Sequence, residues 1–469
     1  MSEILCSMSL TEIARGIQDR HFSSVEVTEA CLRRIEASQD TWNAFLHVEA
    51  ESAMDAARDA DAALARACVR GPLHGVPVAH KDVYYRAGRV ATCGSRIRRS
   101  FVPDHTASVL SRLDGAGAID LGGVNTSDSG CNPFGLNVLA GRARNPWSPD
   151  RITGGSSSGS GAAVAGGLVF ASLGTDSGGS IRLPAAMCGV VGLKPTEGLV
   201  SRHGIMPLSQ TLDSAGPLTR TVADCATVTG VVAGHDPLDS TTRDNSVPDF
   251  AGAIENPVAG IRVGVPTQYY WEKLSDDVRT VVEESLTVLK DEGAEIIEVS
   301  VPDPAPMDAL ANVIIFAEGA RVHEEWLRTR RADYTPVTGN ALAFGLTLPA
   351  TRYIEALERR RIAMAAFPEL VYSRVDVLHT PVLPGPVPTI AEVEIHLQEA
   401  GPLPLELARN TKPANFLGLP ALAVPCGRTD DGMPVSFQLI GPAFSEPLLF
   451  NLGHVYQKAT NHVARIPEP

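Results

Sequence analysis

The stretch "RITGGSSSGSGAAVAGGLVFASLGTDSGGSIRLPAAMCGVVGLKPT", Arg151 to Thr196, carries two clusters of glycine and serine separated by a short apolar run. One such cluster fits a linker, a phosphate-cradling loop or a nucleophile turn; two so close together ask for a joint reading. A GxxxxGK[ST] phosphate loop fails, because Gly159, at the right interval from Gly154, is followed by Ser160 with no lysine between. Neither cluster supplies GxGxxG after a strand. Gly155, Ser157 and Gly159 satisfy GxSxG formally, but an esterase elbow needs a buried strand before it, and "RNPWSPDRIT" is polar and broken by proline. Turns with helix-capping serines account for the first cluster. They do not account for the paired glycines directly before Ser180, which let backbone N–H groups approach a ligand with no Cβ in the way. An oxyanion hole is built that way.

The 469 residues allow one large core or up to three average domains. With 44% hydrophobic and 20% charged residues, the chain belongs to the globular class. Its net charge of −14, with basic residues scattered, argues against nucleic acid or an anionic membrane as partner. The N-terminus has no apolar run behind a basic start, and no window approaches about 18 apolar residues, so a cytoplasmic protein is expected. Eight cysteines without a CxxC pair suit reduced thiols, most of them in the core. Twelve histidines with neither HExxH nor HxH spacing lead to the expectation of no metal.

Apolar strands alternating with helices predict an α/β core. In "HFSSVEVTEACLRRIEAS" a capping box joins Ser23 to Glu26, and Val25, Thr28, Leu32 and Ile35 share a helical face with Cys31 at its margin. A long alanine-rich helix is expected from about Phe45 to Ala67. Val76–Ala79, Ala118–Leu121 and Leu168–Gly174 read as buried strands, with Lys81 just beyond the first. The polar passage "HDPLDSTTRDNSVPDFAGAIENPVAG" reads as a long connection within one sheet, because strands such as "IRVGVP", "AEIIEVSVP", "VDVLHTPVLP" and "VSFQLIG" follow it. Pro-rich "PVLPGPVPT" is expected to be an extended surface segment.

With these pieces placed, the chain resembles the amidase signature family, serine hydrolases with a Ser–cis-Ser–Lys triad. The resemblance rests on "GGSSSGSGAAVA" and "GTDSGGSIRLPAAMCGVVGLKPT". It extends to "SSVEVTEACLRRIEA", "NAF", "GVPVAHKD", "GAGAIDLGGVNTS", "GIMPLSQTLDSAGPLTRTVAD", "TKPANFLGLPALAVPCG" and "GMPVSFQLIGP" in the family's order. It covers roughly residues 8 to 460 and is weakest between about 240 and 400. It implies a single α/β domain over residues 1–469, with a mixed central sheet flanked by helices on both faces. The signature core would lie at about 70–225 and a more variable substrate side at about 240–400.

Carried over residue by residue, the resemblance implies Ser180 as nucleophile, Ser156 as a bridging serine after a cis peptide, and Lys81 as base. The N–H groups of Ser177, Gly178, Gly179 and Ser180 would form the oxyanion hole, with Ser157, Asp176 and Arg182 in support. His80 departs from the aliphatic residue usual before the lysine, and leaves the packing there open. Lysine serves as a base only where burial lowers its pKa enough to populate the neutral amine. The loop "NTSDSGCNPFGLN" with Tyr84 and Tyr85 is expected to line or flank the acyl pocket. The expected function is a free-standing amidase acting on a small-molecule amide, or an ester or carbamate, without cofactor, nucleic acid or membrane; a homodimer is left open. One alternative is the A-type chain of the tRNA-dependent amidotransferase, which releases ammonia from glutamine for a partner. Against it, Ala408 stands where that chain carries an acidic glutamine-recognising residue. The other alternative is a binding module without chemistry.

Overall fold

Ser23 accepts the Glu26 N–H, and the Glu26 carboxylate takes the Ser23 N–H in return, closing the expected capping box at the head of helix Ser24–Trp42. The structure, a computed structural model, describes residues 2–399, 403–460 and 466–468. The helix buries Ser24, Val27, Thr28, Cys31, Ile35, Ser38 and Trp42, so its inward stripe is turned from the expected one. Cys31 lies at its centre, while Val25 and Leu32 are half-buried. Two further helices, Ser2–Ser7 and Leu10–Gln18, precede it, the second with its own Ser9–Glu12 capping box.

Among the described residues a mixed sheet of eleven strands runs through the molecule, in an α/β domain with helices interleaved along the chain. Across the sheet the strands are Phe45–Val48, Ile119–Val124, Pro77–Lys81, Ala171–Asp176, Ser214–Thr219, Val191–Lys194, Ala421–Arg428, Pro434–Ile440, Val377–Pro381, Arg262–Pro266 and Glu295–Val299. Strands from both sides of the polar passage after Gly234 therefore share the sheet. Pro77–Lys81 lies parallel between Ile119–Val124 and Ala171–Asp176, and all five of its residues are buried. Such a strand reads as an unbroken apolar run rather than an alternating one.

Four further details differ from the sequence reading. Phe45–Val48 is a strand, not helix, because it pairs antiparallel with Ile119–Val124; the alanine-rich helix begins at Ala50 and ends at Ala65. Lys81 is the last strand residue rather than a residue beyond it. The third strand starts at Ala171, since Leu168 to Phe170 belong to the turn that follows helix Ser158–Ala165. The Pro-rich segment is not a surface strip: Val382, Leu383 and Val387 are buried. Among the described residues no helix is long and apolar enough to cross a membrane, and seven of the eight cysteines, all free, are buried.

Candidate active site

The two glycine-serine clusters turn out to be two different devices that meet. The first becomes helix Ser158–Ala165, all of whose residues are buried. Its small side chains let it sink against the backbone; a Cβ on Gly159 would collide with the Asn125 N and the Ala44 carbonyl. This presents Ser156 and Ser157 at the helix entrance, with a cis peptide between Gly155 and Ser156. The second cluster is the loop between strand Ala171–Asp176 and helix Arg182–Cys188. Gly179 there has φ +128, and a Cβ would strike Thr411 Oγ1, so only glycine fits.

Lys81 reaches this junction from the end of its strand. Its Nζ donates to Ser156 Oγ at 2.6 Å and to Thr175 Oγ1 at 2.7 Å. The lysine has no measurable exposure, and no carboxylate lies within ion-pair distance of it among the described residues. Burial pushes its pKa down to about 7, with Asp213 and Asp176 pulling it partly back up. At neutral pH a substantial fraction of the amine is therefore uncharged. Ser180 lines a cavity of about 270 Å³ together with Gly155, Ser177 and Gly178, so the Ser180 loop and the Gly155–Ser156 peptide face one space. The Ser180 carbonyl accepts the Ser157 N–H at 3.2 Å, which ties the two clusters directly.

Of the four N–H groups expected to form an oxyanion hole, that of Gly179 is already donated to Asp176 Oδ1 at 2.7 Å. Those of Ser177, Gly178 and Ser180 donate to nothing among the described residues. Asp176 and Arg182 are both fully buried and paired through two oxygens, at 3.0 and 3.1 Å. Burial works against ionising Asp176, but Arg182 and the hydrogen bonds to Arg182 and Asn415 outweigh it and hold the carboxyl well below the usual range. Ser157 Oγ sits between the Thr175 carbonyl and the Thr175 N–H, both at 3.3 Å. His80 is buried against Asp120, Nδ1 to Oδ1 at 3.1 Å, which settles the packing beside Lys81.

Several residues of the site carry no motif of their own. Asn415 bonds the Asp176 side chain and carbonyl, Gln438 receives Arg182 at 3.0 Å, and Thr411 donates to the Gly178 carbonyl at 2.7 Å. The blocks "TKPANF" and "VSFQLIG" thus brace the Ser180 loop from the short helix Lys412–Phe416 and the strand Pro434–Ile440 far along the chain. Asp213, whose carboxyl burial pushes up, takes a hydrogen bond from Ser177. Only the antiparallel pairing of Asp176 with Ser214 brings it there. The loop Gly130–Phe134 lines the cavity as expected. Tyr84 and Tyr85 do not: the Tyr84 hydroxyl is buried on the Gly174 carbonyl at 2.6 Å, and Tyr85 packs beside Arg98.

The Amidase family model matches residues 26–450, and the chain belongs to that family. It is an amidohydrolase-type enzyme by that membership. Among its relatives, the A chain of the glutamyl-tRNA(Gln) amidotransferase of Chloroflexus aggregans is 38% identical over 98% of this chain and 97% of that protein. The solved structure of the corresponding protein from Thermotoga maritima is 30% identical, with TM-score 0.83, covering 99% of this chain and 98% of that one. A structure described as an unexpected vestigial protein complex, bearing on the origins of an s-triazine catabolic enzyme, superposes with TM-score 0.90 at 32% identity, covering 97% and 99%. These findings correct the expectation of a free-standing amidase with only a small-molecule partner, no nucleic acid and at most a homodimer. The relatives are named as one subunit of an enzyme acting on glutamyl-tRNA. Net charge misled here because the balance over a whole chain does not tell which class of enzyme the chain belongs to.

Asp176→Asn should leave the Arg182 charge buried and unpaired, which costs about 3–5 kcal/mol. Because the folded pKa of Asp176 is depressed, its contribution is present above the ordinary carboxylate range and lost as pH falls through the folded value. Denaturant unfolding at pH 7 checks this; an unchanged midpoint contradicts it.

Proposed function

We propose that this chain is the amide-cleaving A-type subunit of a tRNA-dependent amidotransferase, releasing ammonia from a carboxamide donor for a partner. The observation that carries the reading is 38% identity to such a subunit over 98% of the chain. The chemistry assigned to the site supports it. Neutral Lys81 takes the Ser156 proton as Ser156 takes that of Ser180, and Ser180 Oγ attacks the donor carbonyl. The N–H groups of Gly178 and Ser180 receive the oxyanion. Ser156 returns the proton to the departing nitrogen, which leaves as ammonia, and Lys81 restores the proton to Ser156. Water then enters by the same relay in reverse, freeing the acid and Ser180. Asp176, Arg182 and Ser157 hold the loop in place. The free thiols suit a reducing compartment, and we place the chain in the cytoplasm.

Because protonated Lys81 cannot accept a proton, kcat/KM should rise with pH through about 7 and level off above it. Ser180→Ala and Lys81→Ala should each remove that activity, and Ser180→Ala should change the unfolding free energy by no more than about 1 kcal/mol. A pH–rate profile flat from about pH 5 to about pH 9, roughly the span over which such a group titrates, would contradict the assignment of Lys81.

The subunit reading is tested by reconstitution. Ammonia transfer to glutamyl-tRNA(Gln) should appear when the chain is combined with the remaining subunits of a relative's amidotransferase, and glutamine hydrolysis should rise at least about tenfold. Glutamine hydrolysis that the partners leave unchanged, with no transfer, would overturn it.

A further inference from the structure

Thr175, which accepts a hydrogen bond from Lys81, also lines a second cavity, of about 190 Å³, with Asp213, Arg202, His203 and Asp239 in its wall. Asp213 ties this second cavity to the first. One of its carboxylate oxygens, Oδ1, accepts the Ser177 hydroxyl, and the other, Oδ2, accepts the N–H groups of Leu208 at 2.9 Å and Ser209 at 3.0 Å. Ser177 and Leu208 both line the cavity that holds Ser180. A single carboxylate therefore joins the Ser180 loop to another stretch of the same wall, and it holds the residue whose N–H, like those of Gly178 and Ser180, is left unbonded.

The charge of that carboxylate is distinctive as well. The groups that act on Lys81 are Asp213, from the loop before strand Ser214–Thr219, Asp176, at the end of strand Ala171–Asp176, and Cys93, from the loop after the lysine's own strand. Asp176 is matched by the Arg182 guanidinium, and burial pushes the Cys93 thiol up to about 12, so it is neutral. Among the described residues no cation lies within ion-pair distance of the Asp213 carboxylate. Arg202 donates to the Asp213 carbonyl at 3.4 Å, and its ion partner is Asp239 at 3.9 Å. Neutral donors hold an anion in place but cancel less of its field than a counter-ion does.

We propose that Asp213 is a positioning residue for the amide-cleaving step: it fixes Ser177, and with it the loop that carries Ser180, and it supplies the unpaired negative charge that acts on the Lys81 amine. The inference rests on the reading of Ser180 as nucleophile and Lys81 as base. Its two effects are separable. Removing the charge disfavours the ammonium, so the Lys81 midpoint should fall, and the weaker base takes a serine proton less readily. Removing the Ser177 hydroxyl frees the loop but leaves the charge.

The test compares Asp213→Asn with Ser177→Ala in the full chain. An asparagine can still accept the Leu208 and Ser209 N–H groups through its oxygen, while its amide donates to a Ser177 hydroxyl that turns to accept. Carbon NMR at lysine Cε, which needs no substrate, should show the Lys81 midpoint of Asp213→Asn lower than in the unaltered chain by at least about half a pH unit. Butyramide hydrolysis, followed as ammonia released, should shift its ascending limb the same way. Ser177→Ala should lower kcat for butyramide about tenfold, with KM within about twofold and the Lys81 midpoint not lowered. Should Asp213→Asn fail to fold, the split between kcat and KM in Ser177→Ala still decides. A Lys81 midpoint that Asp213→Asn leaves in place, or an unchanged kcat in Ser177→Ala, would overturn the inference. The underlying assignment of the base fails on a different result, a midpoint near the ordinary lysine value in the unaltered chain.

Discussion

A lysine ammonium sealed inside the protein with only hydroxyls to touch is the constraint on which the site depends. Lys81 has Ser156 and Thr175 as hydrogen-bond partners and no carboxylate in contact among the described residues. Desolvation therefore dominates and the neutral amine becomes accessible near pH 7. A carboxylate in contact would have kept the ammonium charged. The acids of the neighbourhood are kept at one remove: Asp176 is engaged by Arg182 and Asn415, and Asp213 by Ser177 and the Leu208 and Ser209 N–H groups. The same bonds that fix the Ser180 loop thus keep negative charge away from the lysine.

Much of this was legible in the sequence because it follows from local rules. The paired glycines before Ser180 and the small-residue run after Ser156 have spacings that only a close backbone approach requires, and Ser23 with Glu26 announces a helix start. The interior of the α/β sheet was legible for the same reason, since buried parallel strands are short apolar runs. What escaped is set by tertiary pairing. Phe45–Val48 has the composition to extend the alanine-rich helix, and becomes a strand only through the edge offered by Ile119–Val124. Tyr84 reads as a pocket residue until the Gly174 carbonyl takes its hydroxyl. Asn415 and Gln438 have no motif, because their role is defined by Arg182, which lies more than two hundred residues earlier.

The functional reading turned on whole-chain likeness rather than on a single residue. Ala408 argued against glutamine, yet relatives that match nearly the full chain include amidotransferase subunits. The absence of one recognising acid is weak evidence when whole-chain likeness points the other way. Lys412 and Asp308 lie far apart in sequence and meet because helix Pro304–Thr329 packs on the short helix Lys412–Phe416.

The titration of Lys81 itself tests the account most directly. Carbon NMR of protein labelled at lysine Cε, with the Lys81 signal assigned by its loss in Lys81→Ala, reports the charge on that amine alone. The account predicts a midpoint near pH 7. A midpoint close to the ordinary lysine value of 10.5 would contradict it, because Lys81 would then be a charged structural residue and Ser180 would lack its base.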